Sequence, residues 1–459
     1  MKFGEYLNGL KEKRVTVIGA GISNTPLTEA LLAAGIDTTV CDKRDYDELG
    51  VTAHRLMSLG ASLRLGNDYL ENLNADIIFR TPGLMPTNPA LVEAVKRGAV
   101  LTSEMEAFFD VCPCEIIAVT GSDGKTTTTT IIAELLKKEG RDVHIGGNIG
   151  MPLLCRADSM KPDDIAVIEL SSFQLITMRK SPNIAVYTNF SANHQDIHAD
   201  MDEYADAKRN IFIHQGSADR AVFNYDDKHT RAEADSAPGE ALFFSRLDKV
   251  SDGVCIDNGT IYEVSEGKSA AVMRASDILI PGNHNVENFM AAFAAVRGLV
   301  SRAAMEETAR TFPGVRHRIE LVRELRGVRF YNDSIASSPT RAIAGLRAFG
   351  QKVVLIAGGK DKGVSFNELG NEIIRRAKLL VLTGMTAQQI SNAVKAAPEY
   401  DGQPEILMRD DFEIAVLTAA EAAEEGDIVL LSPACTSFDR FDNFEQRGDT
   451  FREIVNNLK

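Results

Sequence analysis

The residues best equipped for chemistry are Thr120-Gly121-Ser122-Asp123-Gly124-Lys125-Thr126-Thr127, where the apolar run 115–120 gives way to a helical stretch. Glycines let backbone N–H groups curl around phosphate oxygens. A helix N-terminus adds partial positive charge, and Lys125 can reach terminal phosphates. The Thr126 hydroxyl suits Mg²⁺. Val119 stands where such loops usually have their first glycine, so the motif is a shortened GxxGKT. Strand, Gly-Lys-Thr and helix in that order point to a nucleotide-phosphate site rather than a solvated turn. A second loop, Gly19-Ala20-Gly21-Ile22-Ser23-Asn24, has the outline of a dinucleotide fingerprint, with Asp42 ending the next strand. Asn24, however, occupies the place of the usual third Gly or Ala. The loop suits any pyrophosphate and Asp42 a ribose or a base; a plain βα turn is the alternative.

Further polar groups follow the phosphate loop. Glu169 ends an apolar strand just before Leu170-Ser171-Ser172-Phe173-Gln174, where a carboxylate faces the phosphate crevice and suits a hard cation. His194 and His198 lie in the polar run 189–198, whose spacing is not that of a zinc helix. Lys208, by spacing alone, is an exposed lysine of the helical stretch 203–212. Arg318 can neutralise phosphate charge, and Asp333 sits at a strand end. Ala357-Gly358-Gly359-Lys360-Asp361-Lys362-Gly363 is a cationic Gly loop suited to an anion. The stretch from Ser432 to Phe441 supplies hydroxyls and N–H groups suited to a carboxylate.

Three segments must position these groups. In the first, strands at 15–19, 38–42 and 76–79 alternate with a helix at 25–34, the grammar of a mostly parallel sheet. The second has strands at 115–120, 165–170 and 184–189. A β-rich stretch follows over 219–280, with Asp252-Gly253 and Asn258-Gly259 as hairpin turns, and then a helix at 286–300. The third has strands at 328–331, 353–357, 379–382 and 428–431. Boundaries fall near residues 110 and 312.

The 459 residues exceed one ordinary domain, and 44% apolar with 25% charged residues is an ordinary globular composition. A net charge of -15 without any Lys/Arg block disfavours a nucleic-acid partner, while leaving small anionic substrates open. Six scattered cysteines without CxxC pairing argue against a zinc ribbon or disulfide framework; Cys112 and Cys114, flanking Pro113, read as packed or idle thiols. No signal pattern and no apolar run of about 18 residues is present, so the expected place is the cytoplasm, without membrane insertion.

Together the motifs resemble the Mur ligase family over essentially the whole chain. They are TGSDGKTT at 120–127, GGNIGMPL at 146–153, ELSSFQL at 169–175, PGNHNVEN at 281–288, HRIE at 317–320, YNDS at 331–334 and SPACTSFDRFDNFEQRGDTF at 432–451. The last resembles the D-glutamate-adding branch. The resemblance implies an α/β fold of three domains: 1–110 Rossmann-like and holding a UDP substrate, 111–312 a P-loop ATPase-type domain with a mixed or parallel sheet, and 313–459 Rossmann-like and holding the incoming amino acid. It implies an ATP- and Mg²⁺-dependent ligase joining D-glutamate to UDP-N-acetylmuramoyl-L-alanine through an acyl phosphate, acting as a monomer. ATP would be held by Gly121, Ser122, Asp123, Gly124, Lys125, Thr126, Thr127, Asn288, Arg318 and Asp333, and Mg²⁺ by Thr126, Glu169, His194 and Lys208 as its carbamate. Lys125, His194 and Lys208 would be catalytic, Ser23, Asp42 and Asn148 would meet the UDP substrate, and Ser337, Lys362, Ser437, Phe438 and Phe444 D-glutamate. Ile335 stands where many relatives have a lysine. The rival readings are another amide ligase of the family or a folylpolyglutamate-type enzyme, an NAD-dependent oxidoreductase built on the first Gly loop, and a non-catalytic nucleotide-binding switch.

Overall fold

The computed structural model describes residues 1–191, 198, 200–361 and 363–459. It is an α/β protein with three sheets, mostly parallel. Two compact units emerge, Met1–Ala275 with Glu287–Thr308, and Ser276–Val286 with Ala309–Lys459.

The first unit holds two sheets. One comprises Val15–Ile18 (β1), Thr38–Asp42 (β2), Ser62–Leu65 (β3), Ile77–Phe79 (β4) and Val100–Thr102 (β5), in the order β3-β2-β1-β4-β5 and wholly parallel. That is the Rossmann arrangement, whose strand order reverses beside β1 and so opens a crevice at the Gly19 loop. The helix Asn24–Ala33 buries Asn24, Leu27, Thr28 and Leu31, the spacing of one helical face. Asn24 explains the broken fingerprint: its side-chain amide donates to the Ile18 carbonyl at 2.9 Å. A glycine there brings helix and strand together by being small; here an amide links them instead.

The second sheet comprises Glu115–Thr120 (β6), Val143–Gly147 (β7), Ile165–Glu169 (β8), Ile184–Tyr187 (β9), Arg220–Asn224 (β10), Glu240–Ser245 (β11), Gly253–Asp257 (β12), Thr260–Ser265 (β13) and Lys268–Arg274 (β14), ordered β14-β13-β12-β11-β10-β9-β6-β8-β7. Strands β6, β8 and β9 are buried almost throughout, as a sheet covered on both faces requires, and their sequences are correspondingly continuous apolar runs. One hairpin expectation is corrected. Gly253, after Asp252, opens β12, which runs parallel to β11, so no hairpin forms there. Asn258-Gly259 does turn between antiparallel β12 and β13, with φ of 48° and 75° at its two central residues. A second such turn, Glu266-Gly267, joins β13 to β14 with a glutamate in the left-handed region. That residue type carries no turn signal.

One buried cluster is shared by both sheets of this unit. Phe3, Leu27, Leu31, Phe79 and Phe108 pack in the same buried cluster as Ile116, Leu153, Leu154 and Ile168.

The second unit holds Glu320–Leu325 (β15), Val328–Asn332 (β16), Val353–Ala357 (β17), Ala377–Leu382 (β18), Glu405–Met408 (β19) and Ile428–Leu431 (β20), ordered β15-β16-β20-β17-β18-β19. Only β15 is antiparallel, folded onto β16. Separate apolar clusters occupy the two faces of this sheet. No helix among the described residues is long and apolar enough to cross a membrane.

Candidate functional site

The phosphate loop leaves β6 and turns into the helix Lys125–Lys138 through Gly124, whose φ of 79° is left-handed. Both glycines are required by space. A Cβ on Gly121 would lie 1.9 Å from Thr188 Oγ1, and one on Gly124 would lie 2.4 Å from Asn288 Oδ1. The loop is braced from the end of β9: Thr188 Oγ1 donates to the Asp123 carbonyl at 2.6 Å, and the Asp123 N–H donates to Asn189 Oδ1 at 2.8 Å. Ser122 Oγ donates to the Ser191 carbonyl at 3.0 Å and meets the Tyr204 hydroxyl at 3.2 Å. Thr128 Oγ1 reaches Asn288 Oδ1 at 3.2 Å, so Asn288 lines this loop. Thr126 and Thr127 occupy the first turn of the helix.

Two ammonium groups meet on one carbonyl. Lys125 Nζ donates to the oxygens of Gly121 and Ser122, both at 2.9 Å, and Lys208 Nζ donates to the Gly121 oxygen at 2.7 Å. Lys208 therefore overturns its reading as an exposed lysine. It is 1% exposed, sits over the Tyr204 ring at 4.7 Å, and projects from the helix Met201–Arg209. Burial, and after it the charge of Lys125, hold its ammonium well below the usual lysine range. Spacing alone could not reveal this, because a helix shows which face a residue shares and not what that face meets.

Glu169 ends β8 at 1% exposure. Its Oε1 accepts from Asn148 Nδ2 at 2.7 Å, while Oε2 is buried without a partner among the described residues. The Asn148 N–H donates to the Glu169 carbonyl at 2.8 Å, so the 146–150 loop is tied to this carboxylate twice. His194 lies outside the described residues, as does Lys362.

At the first sheet, the Asp42 carboxylate is engaged within the protein. Its Oδ2 accepts the Ala20 N–H at 2.8 Å, and both carboxylate oxygens accept from the Arg44 guanidinium at 2.8 and 3.0 Å. Burial works to raise its pKa, but these donors outweigh it and hold the carboxyl below its ordinary range. Asp42 clamps the Gly loop and orients Arg44, whose side chain is 42% exposed. Arg44 is thus a candidate that residue pattern did not single out; an arginine two positions past a strand-ending Asp was the signal. Ser23 is half-buried at the start of the following helix.

In the second unit, the three candidate loops leave the C-terminal ends of β16, β20 and β17, which are neighbours in the sheet. That is where α/β sheets bind ligands. Asp333 is buried, pushed up to about 7 chiefly by desolvation, against which the Ser432 hydroxyl at 2.8 Å and the charge of Arg318 pull it down. The β17 and β20 loops are paired: the Lys360 N–H donates to the Thr436 carbonyl at 2.9 Å, and Thr436 Oγ1 donates back to the Lys360 carbonyl at 3.1 Å. Arg447, also missed in the sequence, is the fastener. It donates to Ser334 Oγ and O and to the Cys435 carbonyl at 2.8–3.1 Å, from 2% exposure. Ser437 is buried, Ser337 is half-buried, and Phe438 stands 61% exposed. Phe444 packs edge-on against His317 and accepts the Ser334 hydroxyl at its carbonyl.

Two family descriptions match the sequence, the Mur ligase middle domain over residues 119–296 and the Mur ligase glutamate ligase domain over 317–435. The chain is 47% identical to the UDP-N-acetylmuramoylalanine--D-glutamate ligase of Ruminiclostridium cellulolyticum, covering 100% of this chain and 99% of that protein. It is 48% identical to the enzyme of the same name from Acetivibrio thermocellus, with the same coverage. Among solved structures, the UDP-N-acetylmuramate-alanine ligase of Thermotoga maritima shares the fold, with a TM-score of 0.57 at 18% identity over 97% of this chain and all of that one. With full-length identity at this level and family matches on the segments that carry the phosphate loop and the three converging loops, the chain belongs to the Mur ligase family.

Proposed function

We propose that this protein joins D-glutamate to UDP-N-acetylmuramoyl-L-alanine at the expense of ATP, in peptidoglycan precursor synthesis. The observation that carries the reading is the meeting of Lys125, Lys208 and Glu169 at the Gly121–Gly124 loop. Such a site handles a triphosphate whose outer group is transferred. The near-identity in length with relatives named for this reaction supports the choice of substrates.

The residues fit Mg²⁺ on one condition. Among the described residues no three His, Cys, Asp or Glu side chains cluster to hold a metal. The buried Oε2 of Glu169, without a partner among the described residues, is an oxygen suited to a cation, and Thr126 adds a hydroxyl. Lys208 as an ammonium would repel the ion. As the carbamate that the family resemblance implies, it becomes an anionic oxygen donor, and burial, by lowering the amine's proton affinity, favours the form that adds CO₂ with loss of a proton. When bound, Mg²⁺ supplies neutralisation of phosphate charge.

In the reaction, the L-alanyl carboxylate attacks the γ-phosphorus, the bond to the β-phosphate oxygen breaks, and ADP leaves. Lys125 moves from its loop carbonyls onto the outer phosphates. The acyl phosphate turns a poor leaving oxide into phosphate. The D-glutamate amine then adds to the carbonyl carbon, loses a proton, and expels phosphate as the amide forms. His194 is assigned to proton handling or metal contact. Ser23, Asp42 and Asn148, joined by Arg44, take the UDP substrate; Asn288, Arg318 and Asp333 take the nucleotide; Ser337, Lys362, Ser437, Phe438 and Phe444 take D-glutamate. We assign the domains as 1–110, 111–312 and 313–459, one sheet to each, and the protein to the cytoplasm as a monomer. The test is phosphate release with UDP-N-acetylmuramoyl-L-alanine, ATP and Mg²⁺ against D-glutamate, L-glutamate, L-alanine and diaminopimelate. Release with D-glutamate alone is expected. Intact ATP in every arm overturns the reading.

A further inference from the structure

Arg80 belongs to none of the motifs above, yet it is 1% exposed and heads the fully buried large side chains of the protein. Among the described residues no carboxylate lies within ion-pair distance. Its Nη1 donates to the carbonyls of Thr81, Pro82 and Leu84 at 3.2–3.4 Å. Its Nη2 donates to the Phe173 carbonyl and to Thr177 Oγ1, the latter at 3.1 Å. Thr177 passes the interaction on, donating to Glu106 Oε2 at 3.1 Å, while Nε is left without a partner.

Burying a guanidinium without a direct counter-ion is costly, because its charge leaves water with no opposite charge to meet it. Apolar packing would stabilise this spot better, so stability does not account for the residue. Its location does. The carbonyls on one side belong to the turn after β4, and that turn is the wall of the first Gly loop: a Cβ on Gly19 would lie 3.1 Å from Thr81 Cβ. The groups on the other side belong to the segment after β8 that starts at Glu169 and includes the short helix Ser172–Leu175. One planar, rigid cation with several fixed donors therefore spans the loop assigned to the UDP substrate and the segment carrying the carboxylate beside the phosphate loop. Lysine gathers its three donors on one nitrogen and so cannot reproduce the two separated nitrogens that Arg80 places on the two sides.

We propose that Arg80 is a positioning residue that sets the spacing between the UDP-substrate loop and the phosphoryl-transfer site, so that a UDP-linked carboxylate reaches the γ-phosphoryl group. This rests on the functional reading above. The experiment compares Arg80→Met, Arg80→Lys and Thr177→Val with wild type for KM of the UDP substrate, KM of ATP, kcat and thermal midpoint. Arg80→Met is expected to weaken kcat/KM for the UDP substrate by about 100-fold while KM for ATP stays within about twofold. Thr177→Val removes one contact and is expected to shift the same ratio in the same direction by about fivefold. Arg80→Lys, keeping charge but not the fork, is expected to fall nearer Met than wild type. An equal rise in KM for ATP and for the UDP substrate, or full rescue by Lys, would reduce Arg80 to a structural residue. Should Arg80→Met fail to fold, Thr177→Val decides alone, an unchanged ratio overturning the proposal. A wild-type enzyme that ignores the UDP substrate strikes the functional reading instead.

Discussion

Glu104 offers a quantitative test of how the first unit holds together. It opens the helix Glu104–Val111 at 6% exposure, and its Oε1 accepts the Leu154 N–H at 3.0 Å, joining that helix to the segment after β7. Desolvation pushes its carboxyl up to about 7 from an ordinary 4.5, against the pull of the Leu154 and Leu153 N–H groups. A raised carboxyl binds its proton more tightly when folded. Its contribution is therefore most favourable below the unfolded value and declines as pH rises from about 4.5 to about 7, levelling off above. Integrated from about pH 5 to about pH 8, that decline is on the order of 2 to 3 kcal/mol. Glu104→Gln keeps the acceptor oxygen and removes the titration. Urea unfolding of both proteins at the two pH values reads the effect: the variant's stability relative to wild type must rise by about that amount from the lower to the higher pH. The comparison cancels any fixed cost of the amide. A difference that does not change with pH would mean that the carboxyl titrates normally in the folded protein, and the burial argument would fail.

Lys125→Ala is expected to abolish ADP release, with the urea midpoint of the protein little changed; normal turnover would remove the phosphate loop from the mechanism. Glu169→Gln keeps an acceptor for Asn148 but surrenders the charge of the unpartnered oxygen, so the Mg²⁺ needed for half-maximal activity is expected to rise by roughly 10-fold or more, read by metal titration of phosphate release. Lys208→Arg retains a cation that cannot form a carbamate, and added short-chain carboxylates are expected to restore part of the lost rate only in the smaller Lys208→Ala variant. Glu266→Asn relieves a left-handed residue at an exposed turn and is expected to stabilise the protein by about 1 kcal/mol in thermal or urea unfolding, without altering activity.

What the residues determined by themselves was local. Continuous apolar runs such as 115–120, 165–169 and 353–357 form strands because only a sheet covered on both faces buries every side chain of such a run. Gly121 and Gly124 are glycines because the backbone must pass where no Cβ fits. Asn258-Gly259 makes its hairpin because both residues tolerate positive φ, whereas Glu266 at the next hairpin gave no warning. The tertiary structure decided everything that depends on which groups meet. Burial lowered the proton affinity of Lys208 beside Lys125, tied Asp42 to Arg44 and the Ala20 N–H, and placed Arg80 and Arg447 as fasteners of loops far apart in the chain. Periodicity reports the face on which a side chain lies. Whether that face meets water, a carbonyl or a second charge is settled only when distant strands align, and protonation and partner choice follow from that encounter.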